Sequence, residues 1–149
     1  MSQSSKETLS HKIYHNQAVN YDRFRNADPL IVKELLALFN SKKQNLGSVL
    51  DIGCGSGNYT IGLHKEGLEI EGMDLSFSML EQAKKKAPEM HWSQGDMRDL
   101  PFLDSSFNAA MTIHTLHYVL NSLDKVFEEG FRVLKPGGKM IISTLHPEN

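Results

Sequence analysis

Val49-Leu50-Asp51-Ile52-Gly53-Cys54-Gly55-Ser56-Gly57 is the stretch that decides the fold. A short apolar run gives way to glycines at alternate positions. That pattern reads as a strand entering a sharp turn whose backbone a ligand can approach directly. The spacing is G-x-G-x-G, whereas the dinucleotide fingerprint is G-x-G-x-x-G, with its third glycine one residue later. Asp51 stands two positions before the first glycine, near the strand's end. A carboxylate there suits a cationic ligand and poorly suits a pyrophosphate.

Outward from this turn, strand-like and helical segments alternate. Upstream, Asp28 caps a helix with Pro29 in its first turn, and Leu30, Ile31, Leu35, Leu36, Leu38 and Phe39 give it an apolar face. Downstream, Tyr59 to Lys65 reads as a helix that Gly67 ends, and Glu69 to Asp74 as a second strand. Ser78 and Glu81 form a capping-box pattern for a helix reaching Lys86, with Pro88 behind it. Met90 to Gln94 is a third strand. Phe107 to Ile113 is a fourth, apolar enough to be buried on both faces. Leu123, Val126, Phe127, Phe131 and Leu134 mark an amphipathic helix halted by Lys135-Pro136-Gly137-Gly138, and Met140 to Thr144 is a fifth strand. Such alternation implies parallel pairing through right-handed crossovers, hence an open α/β sheet with helices on both faces. Ligands bind such sheets beyond the carboxyl ends of the strands, where strand order reverses.

The chain has 149 residues, enough for one domain and too few for two ordinary ones. Hydrophobic residues make up 40% and charged residues 23%, a globular composition. A net charge of -2 gives no electrostatic reason to expect nucleic acid or an anionic membrane surface. The single cysteine, Cys54, forms no internal disulfide, and the polar Met1 to Lys12 lacks the apolar core of a secretory signal; both fit a cytoplasmic domain.

Asp74, at the end of the second strand, can accept both hydroxyls of a ribose. Asp96, in Gln94-Gly95-Asp96-Met97, can take a hydrogen bond from an adenine amino group, while Met97 packs on the base or offers its amide. His114 and His117 follow the fourth strand, at the edge where a general base belongs, and His146 after the fifth is a third candidate. Two histidines without a nearby third ligand favour ordinary residues over a metal site. Cys54 reads as a packing residue, Lys84 to Lys86 as a solvated helix end, and Trp92 and Phe102 as core or adenine-wall residues. Tyr118 carries no assignment.

Together these segments resemble the class I S-adenosylmethionine-dependent methyltransferases, close to their small-molecule group. The resemblance rests on Val49 to Gly57, Gly72-Met73-Asp74-Leu75-Ser76, Gly95-Asp96-Met97, Phe107 to His114, and Arg132-Val133-Leu134-Lys135-Pro136-Gly137-Gly138. It implies a Rossmann-like, mainly parallel sheet of order 3-2-1-4-5, with S-adenosylmethionine as cofactor and S-adenosylhomocysteine as product. It places Gly53, Cys54, Gly55 and Gly57 under the methionine part, Asp51 near its amino group and Asp74 on the ribose. Leu75 and Met79 would flank the adenine, with Asp96 and Met97 at its edge and His114 at the site. Tyr14, Ala18 and Tyr21-Asp22 resemble a run that covers the cofactor from the N-terminal side. A small-molecule acceptor is implied, with no nucleic acid and no membrane as partner.

Residues 1–149 then form one domain, an N-terminal cap over 1–27 and a core over 28–149. Family members carry an antiparallel hairpin after the fifth strand, which this chain lacks. The expectation is a truncated core, or a homo-oligomer that covers the bare edge from Met140 to Thr144. An enzyme and a cofactor-binding module without independent turnover both remain open. A nicotinamide-linked reductase has the glycine turn and Asp74 in its favour, with the spacing, Asp51 and Gly95-Asp96 against it.

Overall fold

A computed structural model describes residues 26–39 and 46–144. Tyr14, Ala18, Tyr21, Asp22 and His146 lie outside them, as does most of the 1–27 segment. Helix α1 (Pro29–Phe39) leads into β1 (Val49–Ile52), α2 (Asn58–Lys65) and β2 (Ile70–Asp74). Then come α3 (Phe77–Lys86), β3 (Trp92–Gln94) and β4 (Phe107–Ile113). Two 3-10 turns, Leu116–Tyr118 and Leu120–Ser122, precede α4 (Leu123–Arg132) and β5 (Leu134–Ser143).

The strands form one sheet in the order β3-β2-β1-β4-β5, and every neighbouring pair is parallel. Strand order reverses between β1 and β4, so the crevice beyond their carboxyl ends is the expected ligand position. Every residue of β1 is buried, as is β4 apart from Asn108. One apolar cluster joins Leu35, Val49, Leu63, Ile70 and Met111. A second joins Leu50, Ile52, Met73, Leu100, Ala110 and Val133. Alternate residues of β1 thus feed separate clusters, as a strand between two helical layers requires.

Local chemistry explains the element ends. The Asp28 carboxylate accepts from the Leu30 amide at 2.8 Å, so α1 starts where the sequence places it. Helix α3 begins earlier than the Ser78–Glu81 pattern indicates. Ser76 caps it by accepting from the Met79 amide at 3.3 Å, and Ser78 is buried inside the first turn. The fifth strand also differs from expectation. Leu134 already pairs with Phe107, and pairing resumes at Ala109 with Lys139, so Lys135 to Gly138 form an irregularity within β5 and not a separate turn. Gly137, at φ +78°, supplies the left-handed residue this needs. Among the described residues β5 is the sheet's edge, and Ile142 on it is exposed.

Candidate functional site

The glycine turn is fixed by backbone bonds to β2. Gly53 and Cys54 both donate to the Met73 carbonyl, at 2.8 and 2.9 Å, and Gly57 donates to the Cys54 carbonyl at 3.0 Å. Gly57 has φ +82°, and a Cβ there would stand 2.5 Å from the Trp92 ring. Its glycine is therefore demanded by conformation and by packing together. Gly55 has φ +57°, but a Cβ on it would meet nothing within 4 Å. The space above Gly55 is open, while that around Gly57 is filled by the protein itself.

Asp74 ties the turn to the end of β2. One carboxylate oxygen accepts from the Gly55 amide at 2.8 Å and the other from the Ser76 amide at 2.8 Å. The Asp74 carbonyl receives the Gly95 amide at 3.1 Å, which joins the end of β2 to the turn carrying Asp96. The glycine turn, Asp74 and Asp96 thus follow adjacent strands, successive stations about 5 Å apart across the sheet.

Asp51 lies beneath the turn, only 2% exposed, where its carboxylate accepts the Thr60 hydroxyl at 2.7 Å. Burial pushes its pKa up to about 7; the Thr60 bond opposes that shift and the charge of Asp74 adds to it. Thr60, on the first turn of α2, is a partner that sequence patterns do not disclose. Cys54 also has its pKa raised well above the ordinary thiol value, first by burial and then by Asp51 and Asp74. A thiol so held is unreactive, in keeping with a packing role.

Around these carboxylates the structure separates exposed from buried neighbours. Leu75 is 38% exposed, whereas Met79 is 0% exposed, a core position beneath α3. Met97 is half-buried against the second apolar cluster. Trp92 packs against Gly57 and Gly72 and donates its ring N–H to the Ala87 carbonyl at 2.9 Å, which makes it a core residue. Phe102 stands edge-on to Phe107 with ring centroids 5.1 Å apart.

The β4 side is arranged differently. His114, directly after β4, holds φ +56°, a left-handed conformation that carries strain in a residue with a Cβ. Its amide donates to the Ser143 carbonyl at 2.8 Å, and its Nε2 lies 3.4 Å from the Ser143 hydroxyl. The next residue, Thr115, faces Gly53, which brings this segment against the glycine turn. His117 is exposed in the following 3-10 turn, its ring 3.8 Å from that of Tyr118. Among the described residues no group of three or more His, Cys, Asp or Glu gathers into a metal-ligand set. Among them, too, no helix is long and apolar enough to cross a membrane.

The residues fit S-adenosylmethionine on structural grounds: open space over a left-handed glycine, then two acidic acceptors on the next two strand ends. Comparison with known proteins agrees. The methyltransferase domain family matches residues 50–142. A malonyl-[acyl-carrier protein] O-methyltransferase of Legionella pneumophila is 32% identical over 142 residues, covering 92% of this chain and 50% of that protein. A demethylmenaquinone methyltransferase of Renibacterium salmoninarum is 36% identical over 100 residues, covering 66% of this chain and 42% of its own length. The solved structure of an S-adenosylmethionine-dependent methyltransferase from Mesorhizobium loti superposes with a TM-score of 0.62 at 32% identity. That superposition covers 68% of this chain and 48% of the other. The chain spans half or less of the length of these relatives. Fold, glycine turn and matched span lead to one conclusion: the chain belongs to the class I S-adenosylmethionine-dependent methyltransferase family.

Proposed function

We propose that the chain binds S-adenosylmethionine across the ends of β1, β2 and β3 and serves the transfer of its methyl group to a small-molecule acceptor. One observation carries this reading: Asp74 accepts the Gly55 amide beneath open space, so a ribose carboxylate and a backbone cradle form one unit. When bound, the cofactor supplies a methyl group activated by its positive sulfur. Gly53 to Gly57 let it lie against backbone, Asp74 accepts the ribose hydroxyls, and Asp96 with Met97 meets the adenine edge. Asp51, buried beneath the turn, would lie near the amino group of the methionine part. The chain's remaining task is to align the acceptor and exclude water.

Where the acceptor keeps its proton near neutral pH, His114 or His117 would take it. His114 is the better placed, because Ser143 holds its backbone and Thr115 next to it touches the glycine turn. The relatives named for malonyl-acyl carrier protein and demethylmenaquinone act on unlike acceptors, an acyl group on a carrier protein and a quinone, and select no single acceptor. The second reading is a cofactor-binding module without independent turnover; β5 is the sheet's edge among the described residues. Self-association through that edge and a cytoplasmic location belong to the same proposal.

Calorimetric titration with S-adenosylmethionine, with NADH as control, tests the reading. The expected result is saturable binding that Asp74→Ala weakens by about 1–3 kcal/mol, the loss associated with removing a hydrogen-bonding partner. Binding of NADH in its place, or binding indifferent to Asp74→Ala, would overturn it.

A further inference from the structure

We propose that Arg98 is a positioning residue, holding the Asp96 carboxylate in the one orientation that meets the adenine amino group. The inference rests on the reading of Asp96 given under the proposed function. It adds a residue that neither the glycine turn nor the strand pattern singles out.

Asp96 follows β3 in a tight turn whose carbonyl accepts the Asp99 amide at 3.0 Å. Its Oδ1 accepts the Arg98 amide at 2.9 Å and the Arg98 Nε at 2.9 Å. Its Oδ2 accepts the Arg98 Nη2 at 2.7 Å and, more weakly, Nε at 3.1 Å. The two side chains are 31% and 26% exposed, so water screens the pair only partly.

An aspartate's second torsion is broad when nothing restrains it. Here a backbone amide fixes one oxygen while a planar two-pronged donor fixes the carboxylate plane, so neither torsion is left to drift. The guanidinium stays charged at any accessible pH and thereby favours the ionised acceptor. Lysine lacks the fork and would supply charge without the plane.

The turn's far end is held independently. The Leu100 amide donates to Glu129 at 2.7 Å, and Arg132 donates to the Leu100 carbonyl at 3.0 Å and to the Phe102 carbonyl at 2.8 Å. Because α4 supports the backbone, removal of the Arg98 side chain should release the Asp96 carboxylate and leave the turn in place.

The experiment measures affinity for two ligands, S-adenosylhomocysteine and its analogue lacking the exocyclic amino group. The wild-type chain should prefer the amino ligand by about tenfold, as expected for a hydrogen bond to a charged acceptor. In Arg98→Ala the preference should fall to about twofold or less, with analogue affinity unchanged within about twofold, because the lost contact belongs to the amino group alone. Arg98→Lys should keep an intermediate preference. Retention of the full preference in Arg98→Ala, or equal weakening of both ligands, would overturn the proposal. If Asp96→Ala abolishes the preference and Arg98→Ala does not, Asp96 keeps its role and Arg98 loses this one. If the folded wild-type chain binds neither ligand, the reading beneath the inference falls, and the inference with it.

Discussion

The carboxyl ends of β1 and β2 and those of β4 and β5 open on the same side of the sheet, but they are held by different means. On the first side the backbone is locked: two amides share the Met73 carbonyl, and Asp74 spans Gly55 and Ser76. Strands β1 and β2 have neighbours on both edges. On the second side β4 is buried but β5, among the described residues, has a neighbour on one edge only, and the histidines stand on turns. A ligand common to a whole family needs the same backbone cradle in every member. An acceptor that differs between members is met by side chains on replaceable turns. The two sides therefore differ in tolerance as well as in chemistry.

The largest expected effect separates two glycines within the rigid side. Gly57→Ala combines left-handed strain with a 2.5 Å approach to the Trp92 ring. It should lower stability by about 3 kcal/mol or more in urea denaturation. Gly55→Ala meets no protein atom, so it should cost only about 1–2 kcal/mol of strain. Its methyl group would nevertheless occupy the space assigned to the cofactor, and binding should weaken more than stability does. Equal losses of stability at both positions would break the distinction between filled and open space.

Asp51 gives the next effect, and it depends on pH. With its pKa pushed up to about 7, the folded chain keeps a proton that the unfolded chain releases near the ordinary value of 3.8. Between those values the folded state binds more protons, so stability is fully present below about 4 and declines as pH rises to about 7. Asp51→Asn keeps an acceptor for Thr60 and removes the ionisation. At pH 8 the variant should be more stable than wild type by about 2–4 kcal/mol, and its stability should stay flat across that window. Thermal melts from pH 4 to 8 would show this; a wild-type profile that rises with pH would contradict it.

The smallest effects contrast a cap with an exposed turn. Ser76→Ala removes the α3 cap and should cost about 1 kcal/mol. His117→Ala, at an exposed position, should stay within about 0.5 kcal/mol of wild type. Any larger loss at His117 would show that the β4 side carries structure that its exposure conceals.

This division also governs what could be read in advance. The β4 boundaries and the start of α1 were legible because burial patterns and Asp28-Pro29 are local signals, whereas strand order was implied by the family resemblance alone. Asp74 and Asp96 were legible as positions at strand ends. Thr60 and the Glu129–Arg132 clamp were not, because each meets its partner through the tertiary crossing of a helix over a strand end. Arg98 left one faint signal, an Asp-x-Arg turn in which the side chain folds back on its neighbour. The β5 boundary was misjudged because Pro-Gly-Gly normally punctuates chains, whereas here it is absorbed into the edge strand next to a buried β4. The resemblance implies that Met79 flanks the adenine, whereas in the structure it is 0% exposed, on the core side of α3.

The central claim is that the cofactor lies over the ends of β1, β2 and β3. The most direct test is an NMR titration of the isotopically labelled chain with S-adenosylhomocysteine, following backbone amides. The account predicts the largest shifts at Gly53 to Gly57, Leu75 and Asp96 to Arg98, with β5 little changed. Shifts concentrated on β5, or none from a folded chain, would contradict it.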